Sequence, residues 1–165
     1  VLVPYLGVQI RCVTPQDKDS FFEAYRGVYS SKEETKAFYR RFLDNGWVSG
    51  AWKDHKLIGV LTWTPRECVK NGLAEIIDLW VIKEERRKGI GGKLIDHALE
   101  QMKQYYQRFG SKLQRVMLFT GATEEYSAAR ALYEKKGFHI ITTIPQDTLD
   151  NPYYNEYLYV LRLST

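Results

Sequence analysis

Four cations and three glycines fall within eight residues of this chain, Arg86-Arg87-Lys88-Gly89-Ile90-Gly91-Gly92-Lys93. The run stands between an apolar, strand-like segment at 74–82 and an amphipathic segment that begins at Gly91. Glycines let main-chain N–H groups approach an anion closely. The first turn of a helix offers donors without acceptors and a positive dipole end, and flanking cations neutralise phosphate charge. The chemistry favoured is the cradling of a pyrophosphate, in which the N–H groups of Arg87 to Gly92 contribute more than any single side chain. The bland alternative for Arg86, Arg87, Lys88 and Lys93 is a set of solvated charges before a helix; their clustering on a glycine turn favours phosphate.

Spacing excludes two common nucleotide sites. A dinucleotide fingerprint requires a third glycine where Leu94 stands, and a Walker loop requires a Gly-Lys-Ser/Thr ending that the run lacks. What remains is Arg86-x-x-Gly89-x-Gly91, a turn that needs a strand behind it and a helix in front.

Both elements are legible. Residues 74–82, Ala-Glu-Ile-Ile-Asp-Leu-Trp-Val-Ile, are apolar enough for a central strand buried on both faces. Leu94, Ile95, Ala98, Leu99, Met102 and Tyr105 recur at helical spacing up to Gly110. Upstream, residues 8–13 read as a first strand, and Thr14-Pro15-Gln16-Asp17 reads as a capped helix start leading through Phe21, Phe22 and Tyr25. Ser31-x-x-Glu34 is a capping-box pattern for a second helix that ends at Asn45-Gly46. Strands at 47–52 and 57–63 form a hairpin, and a polar bulge at 65–72 follows. Downstream come a strand at 113–120, a helix at 124–136 closed by Gly137, and strands at 138–144 and 153–163. The order is β, α, α, β, β, β, α, β, α, β, β, an α/β or α+β three-layer α/β/α arrangement around a mixed, mostly antiparallel sheet.

Composition bounds the function classes. At 165 residues, 44% hydrophobic and 27% charged, the chain is expected to form one globular domain over 1–165. The net charge of +4 is mild, and four cations lie in the glycine turn, so a phosphate-rich ligand accounts for the excess without a nucleic-acid partner. Cys12 and Cys68 form no CxxC pair, and His55, His97 and His139 are scattered, so no metal site is expected. Residues 1–6 are apolar but short, lack a basic start and contain Pro4, which argues against a signal peptide or membrane span. A cytoplasmic protein with reduced cysteines and no membrane partner is the expectation.

The turn and its surroundings resemble the GNAT superfamily of acyl-CoA-dependent N-acetyltransferases, whose Q/R-x-x-G-x-G/A motif holds the pyrophosphate of coenzyme A. The block Ala129-x-x-Leu132-Tyr133-Glu134-Lys135-x-Gly137-Phe138 is similar to the family's second cofactor motif. The likeness covers residues 8–163, and the element order is that of the GNAT fold. It implies acetyl-CoA as cosubstrate, no metal, and direct transfer to an amine without a covalent enzyme intermediate.

Residue roles follow from the likeness together with the chemistry. A lysine-like amine, with a pKa of about 10.4, is mostly protonated at neutral pH, so its proton needs an acceptor. Glu75, in a register similar to that of the catalytic glutamate of histone-acetylating relatives, is the candidate base. Asp78, on the opposite strand face, is the fallback. Some relatives place an acid on the next strand, where this chain has Gly121. The alternative for Glu75 is a solvated carboxylate at a strand entrance. The likeness further implies that the Leu79 N–H faces the thioester oxygen, that Leu79, Trp80 and Val81 pair with the pantetheine arm through their backbone, and that Arg86, Arg87, Lys88, Gly89, Ile90, Gly91, Gly92 and Lys93 hold the pyrophosphate. Tyr133 is the candidate acid toward the departing sulfur; its alternative is core packing. Tyr126 stands where relatives often carry a cofactor-contacting Asn, which puts that contact in doubt.

The acceptor is less legible. Asp147, Asp150, Asn151, Tyr153, Tyr154, Asn155 and Glu156 could receive a cationic amine between carboxylates and aromatic faces, or simply form a polar loop. A small-molecule amine, a peptide N-terminus and a lysine all stay open. Competing readings are a noncatalytic acyl-CoA-binding sensor and a nucleic-acid-binding domain without a recognisable motif. Exposed sheet edges and aromatic surfaces are compatible with a homodimer.

Overall fold

The computed structural model describes residues 7–26, 33–148 and 152–164. Seven strands and four α-helices are present among them: β1 (Gln9–Cys12), α1 (Lys18–Arg26), α2 (Glu33–Asp44), β2 (Val48–Lys53), β3 (Lys56–Arg66), β4 (Leu73–Val81), α3 (Ile90–Arg108), β5 (Arg115–Gly121), α4 (Ser127–Lys135), β6 (His139–Ile144) and β7 (Glu156–Arg162). The strand order is β1-β2-β3-β4-β5-β7-β6. β1–β2, β2–β3, β5–β7 and β6–β7 are antiparallel and β4–β5 is parallel, which gives the mixed, mostly antiparallel sheet expected.

The chain forms two compact units, Val1–Thr64 with Asp78–Gln101, and Pro65–Ile77 with Met102–Thr165. β3 and β4 contribute to both. In the first unit the sequence signals act locally. Asp17 caps the turn before α1, its carboxylate accepting from the Thr14 N–H at 2.9 Å while Arg11 grips both oxygens at 2.8 and 3.1 Å. The β2–β3 hairpin turns through Asp54 and His55, both at positive φ. Phe21, Phe42, Leu43, Val60, Leu61, Trp63, Leu94, Ile95 and Ala98 are fully buried or nearly so. Burying each large apolar side chain contributes about 1.5–3 kcal/mol. Ser49, on β2, has no exposed surface and shares a 2.8 Å hydrogen bond with His97 of α3, whose imidazole burial holds below its ordinary pKa.

In the second unit Met102, Tyr106, Val116, Leu118, Phe138 and Tyr159 form the core. Tyr106 donates its hydroxyl to the Leu73 carbonyl, fixing the start of β4. Gly72 precedes that strand at φ 59, and its carbonyl accepts from the N–H groups of Gln114 and Arg115.

Several elements differ from expectation. β4 is buried on both faces only at Ala74, Glu75 and Ile76; from Ile77 to Val81 it is half-exposed, so it is not a central strand buried throughout. β3 absorbs the first residues of the expected polar bulge and continues to Arg66, whose guanidinium pairs with Glu75 on β4. The helix expected at 124–136 opens with a 3-10 turn, Glu124–Tyr126, and β7 starts at Glu156 rather than Tyr153. Ser31, the Glu34 side chain, Asp150, Asn151 and residues 1–6 lie outside the described residues.

Candidate active site

The glycine turn begins where β4 ends. Ile82 donates to the Ile58 carbonyl at 2.9 Å, a 3-10 turn follows at Lys83–Glu85, and Arg86 N–H returns to Lys83 at 3.3 Å. Arg87 then adopts φ 62 and Gly89 φ 77 before α3 opens at Ile90. Left-handed residues alternating with extended or helical ones turn successive N–H groups toward one side, the arrangement that makes an anion-binding nest. Lys93 N–H is the donor that reaches Gly89 O, at 3.2 Å, so the N–H groups of Ile90, Gly91 and Gly92 have no intrahelical acceptor. Buried Ile90 and Gly92 anchor this turn, while Arg86 to Gly89 are exposed. A Cβ placed on Gly89 would meet no atom within 4 Å, so the turn faces open space.

The cations have distinct assignments. Arg86 Nε donates to the Val81 carbonyl at 2.8 Å and so locks the turn to the end of β4. Glu85 accepts from Lys53 at 2.7 Å and Lys88 at 2.9 Å, and these bonds hold its carboxyl below the ordinary range. Arg86 and Lys88 therefore shape the turn as well as charge it.

Along β4, the parallel ladder with β5 consists of Leu73, Ala74 and Glu75 against Arg115, Val116 and Met117. β4 runs six residues past the end of that ladder, to Val81. Leu79, Trp80 and Val81 are half-exposed there. Gly59 of β3 lets this stretch approach closely, since a Cβ on it would lie 3.3 Å from Trp80 O and Val81 Cγ2. Trp80 packs edge-on against Tyr25 at 5.8 Å, and its indole N–H has no acceptor among the described residues.

Glu75 is 8% exposed, so the solvated-carboxylate alternative is overturned. Burial pushes its carboxyl above the ordinary range, and the Arg66 guanidinium at 3.2 Å opposes that rise. Asp78 accepts a 2.6 Å hydrogen bond from the Tyr39 hydroxyl, a tether that joins α2 to β4 across 39 positions of chain and so leaves no local signal.

Tyr133, on α4, is 7% exposed and packs against Phe138 and Tyr159, with ring centroids 6.1 Å away in each case. Its carbonyl accepts from Phe138 N–H through the turn that Gly137 closes at φ 92. Tyr126 does not extend into solvent: its ring lies over Gly121 and its hydroxyl is 2.6 Å from that of Tyr154. Spacing alone could not join residues 28 positions apart, although glycine at 121 was the signal that something large sits above it. Among the described residues no group of three or more His, Cys, Asp or Glu could hold a metal, and no helix is long and apolar enough to cross a membrane.

The sequence profile of the acetyltransferase (GNAT) family matches residues 18–138. No curated protein matches the chain in sequence. Among solved structures, the ribosomal-protein-S18-alanine N-acetyltransferase from Escherichia coli is similar at a TM-score of 0.72 and 18% identity, over 96% of this chain and 95% of that one. Naa50 from Arabidopsis thaliana, in complex with the bisubstrate analogue CoA-Ac-MVNAL, is similar at 0.74 and 19% identity, over 95% and 99%. Ard1 from Thermoplasma volcanium is similar at 0.73 and 18%, over 96% and 99%. At these identities the likeness concerns the fold.

Proposed function

Because the chain belongs to the acetyltransferase (GNAT) family, we propose that it transfers the acetyl group of acetyl-CoA to a primary amine of a small molecule, a peptide N-terminus or a lysine, by direct attack in a ternary complex. The observation that carries this reading is the turn from Arg86 to Gly89, with two left-handed residues, a helix start and open space in front. In it the N–H groups of Arg87, Gly89, Ile90, Gly91 and Gly92 hold the pyrophosphate, and Arg86, Lys88 and Lys93 add charge.

When bound, acetyl-CoA supplies an activated acetyl carbon and a thiolate leaving group. The Leu79 N–H donates to the carbonyl oxygen as charge develops on it, a contribution of roughly 2.7–4 kcal/mol for one preorganised donor. Leu79, Trp80 and Val81 orient the pantetheine arm through their peptide groups. Glu75 takes the proton from the amine, and burial makes it a stronger base than a solvated carboxylate. Tyr133 supplies a proton to the sulfur; thiols, with a pKa of about 8.5, need only modest help to leave. The names of the similar alanine acetyltransferase and of the Naa50 bisubstrate complex support a peptide amine among the acceptors. On this reading the protein works in the cytoplasm, with neither nucleic acid nor membrane as partner.

Calorimetry with acetyl-CoA, followed by a thiol-release screen over amines, aminoglycosides and peptides, tests it. Saturable heat and amine-dependent thiol release are expected. Binding without release over the whole panel would instead assign a noncatalytic acyl-CoA sensor, and absence of heat from coenzyme A and its esters would refute the ligand.

A further inference from the structure

Most of β4 runs on without its parallel neighbour. Leu73, Ala74 and Glu75 pair with β5, and the strand then continues to Val81 beyond that ladder. Its other edge stays against β3, where Ile82 N–H donates to Ile58 O at 2.9 Å and Gly59 lies close to Trp80 O and Val81. A stretch laddered along one edge holds its peptide directions less firmly than one laddered along both.

α2 supplies a second constraint. Tyr39 is 6% exposed, and its hydroxyl donates to Asp78 Oδ2 at 2.6 Å. Asp78 directly precedes Leu79, and the planar peptide that joins them carries the Leu79 N–H. Asp78 and Trp80 meet one aromatic group, since the Tyr25 ring lies 4.3 Å from that of Tyr39 and 5.8 Å edge-on from that of Trp80. By alternation Leu79 belongs to the opposite face. The Tyr39 ring is held in turn by Phe38 and Phe42, with centroids 5.0 and 6.0 Å away. A phenol already fixed by packed rings loses little further freedom in making its hydrogen bond, so the bond acts on the strand it reaches.

We propose that Tyr39 is a positioning residue for acyl transfer: through Asp78 it fixes the peptide whose N–H, that of Leu79, meets the thioester oxygen. The role rests on the acetyltransferase reading; the tether itself does not.

Tyr39→Phe in the full chain tests it, because the ring stays and only the hydroxyl goes. In the free protein the ¹⁵N order parameter at Leu79 should fall from about 0.85 toward about 0.6 while residues 73–75 stay rigid. With [1-¹³C]acetyl-CoA the bound carbonyl should resonate downfield of the free thioester in wild type, and Tyr39→Phe should lose about half of that displacement or more. Acetyl-CoA Kd should change by less than about threefold. Asp78→Ala should match Tyr39→Phe, the double variant should be no worse than either, and Asp78→Asn, which keeps an acceptor oxygen, should retain most of the displacement. An unchanged carbonyl position in Tyr39→Phe overturns the proposal, and so do strictly additive losses; a weakened Kd at an unchanged carbonyl position assigns packing alone. If Tyr39→Phe fails to fold, Asp78→Ala reads the same quantities. Wild type that binds acetyl-CoA with Tyr39→Phe indistinguishable from it overturns this role only. Wild type that binds no acetyl-CoA overturns the acetyltransferase reading and the positioning role with it, and the order at Leu79 in the free protein then still decides the tether.

Discussion

Gly89→Ala separates the anion turn from the stability of the fold. Gly89 sits at φ 77 with nothing within 4 Å of its missing Cβ, so alanine meets no atom and its cost is conformational. Holding an L-residue in the left-handed region costs about 1–2 kcal/mol. Glycine already loses about 0.5–1 kcal/mol of freedom relative to alanine, which leaves a net loss of about 0.5–1 kcal/mol. For a chain of this size that lowers Tm by about 1–4 °C. Binding should suffer far more, because the new methyl enters the open space in front of the turn and tilts its donors. Losing one charge-assisted hydrogen bond costs about 1.5–3 kcal/mol, a Kd weakened by about ten- to a hundredfold. Scanning fluorimetry measures the first quantity and calorimetry with acetyl-CoA the second. Unchanged affinity in a protein showing the small Tm loss would refute the pyrophosphate turn. Arg87→Gly is the control: at φ 62 glycine relieves strain, so stability stays within about 1 kcal/mol and binding loses one cation only.

Glu75→Gln should lower kcat by roughly 10²–10⁴ and abolish the acidic limb of the rate profile, and Arg66→Ala should move that limb to higher pH, because Arg66 opposes the burial that raises the Glu75 carboxyl; an acidic limb that survives in Glu75→Gln removes it as base. Tyr133→Phe should reduce turnover by about tenfold or more with acetyl-CoA affinity preserved, a split between kcat and binding that separates proton donation from packing. Asp17, held at about 2 against an ordinary 3.8 chiefly by Arg11, contributes stability that is complete above pH 3.8 and is lost as pH falls through about 2. Asp17→Asn should thus cost about 1 kcal/mol at neutral pH, a figure discounted for the partly exposed Arg11, and the two proteins should converge near pH 2 in denaturant melts. Gly121→Ala should cost about 1–3 kcal/mol by overpacking against Tyr126, and combining it with Tyr126→Ala should recover part of that loss; strictly additive effects would mean that the ring does not cover Gly121.

Most of the element order was readable because each signal is local. Thr14-Pro15 with Asp17, Asn45-Gly46, Gly110 and Gly137 stop or start helices by satisfying or relieving backbone within a few residues, and those positions behave as read. The glycine turn was equally legible, since positive φ and a helix start are properties of the short run itself. Where reading failed, the cause lay across the chain. The exposure of β4 beyond Ile76 follows from the short β5 ladder, and no pattern within residues 74–82 reports how far a neighbouring strand will pair.

Local residue patterns set the alternation of strands and helices, the left-handed glycine turn that opens α3, and the kinds of ionisable groups the chain carries. Long-range packing sets what surrounds those groups: Glu75 is a buried carboxylate whose Arg66 neighbour, carried by β3, opposes the rise that burial causes, and Arg86 and Lys88 are fixed in the turn through Val81 O and Glu85. Conformational preference acts over a few residues and is written in the local run, whereas charge, desolvation and pKa depend on which distant segments exclude water around a group.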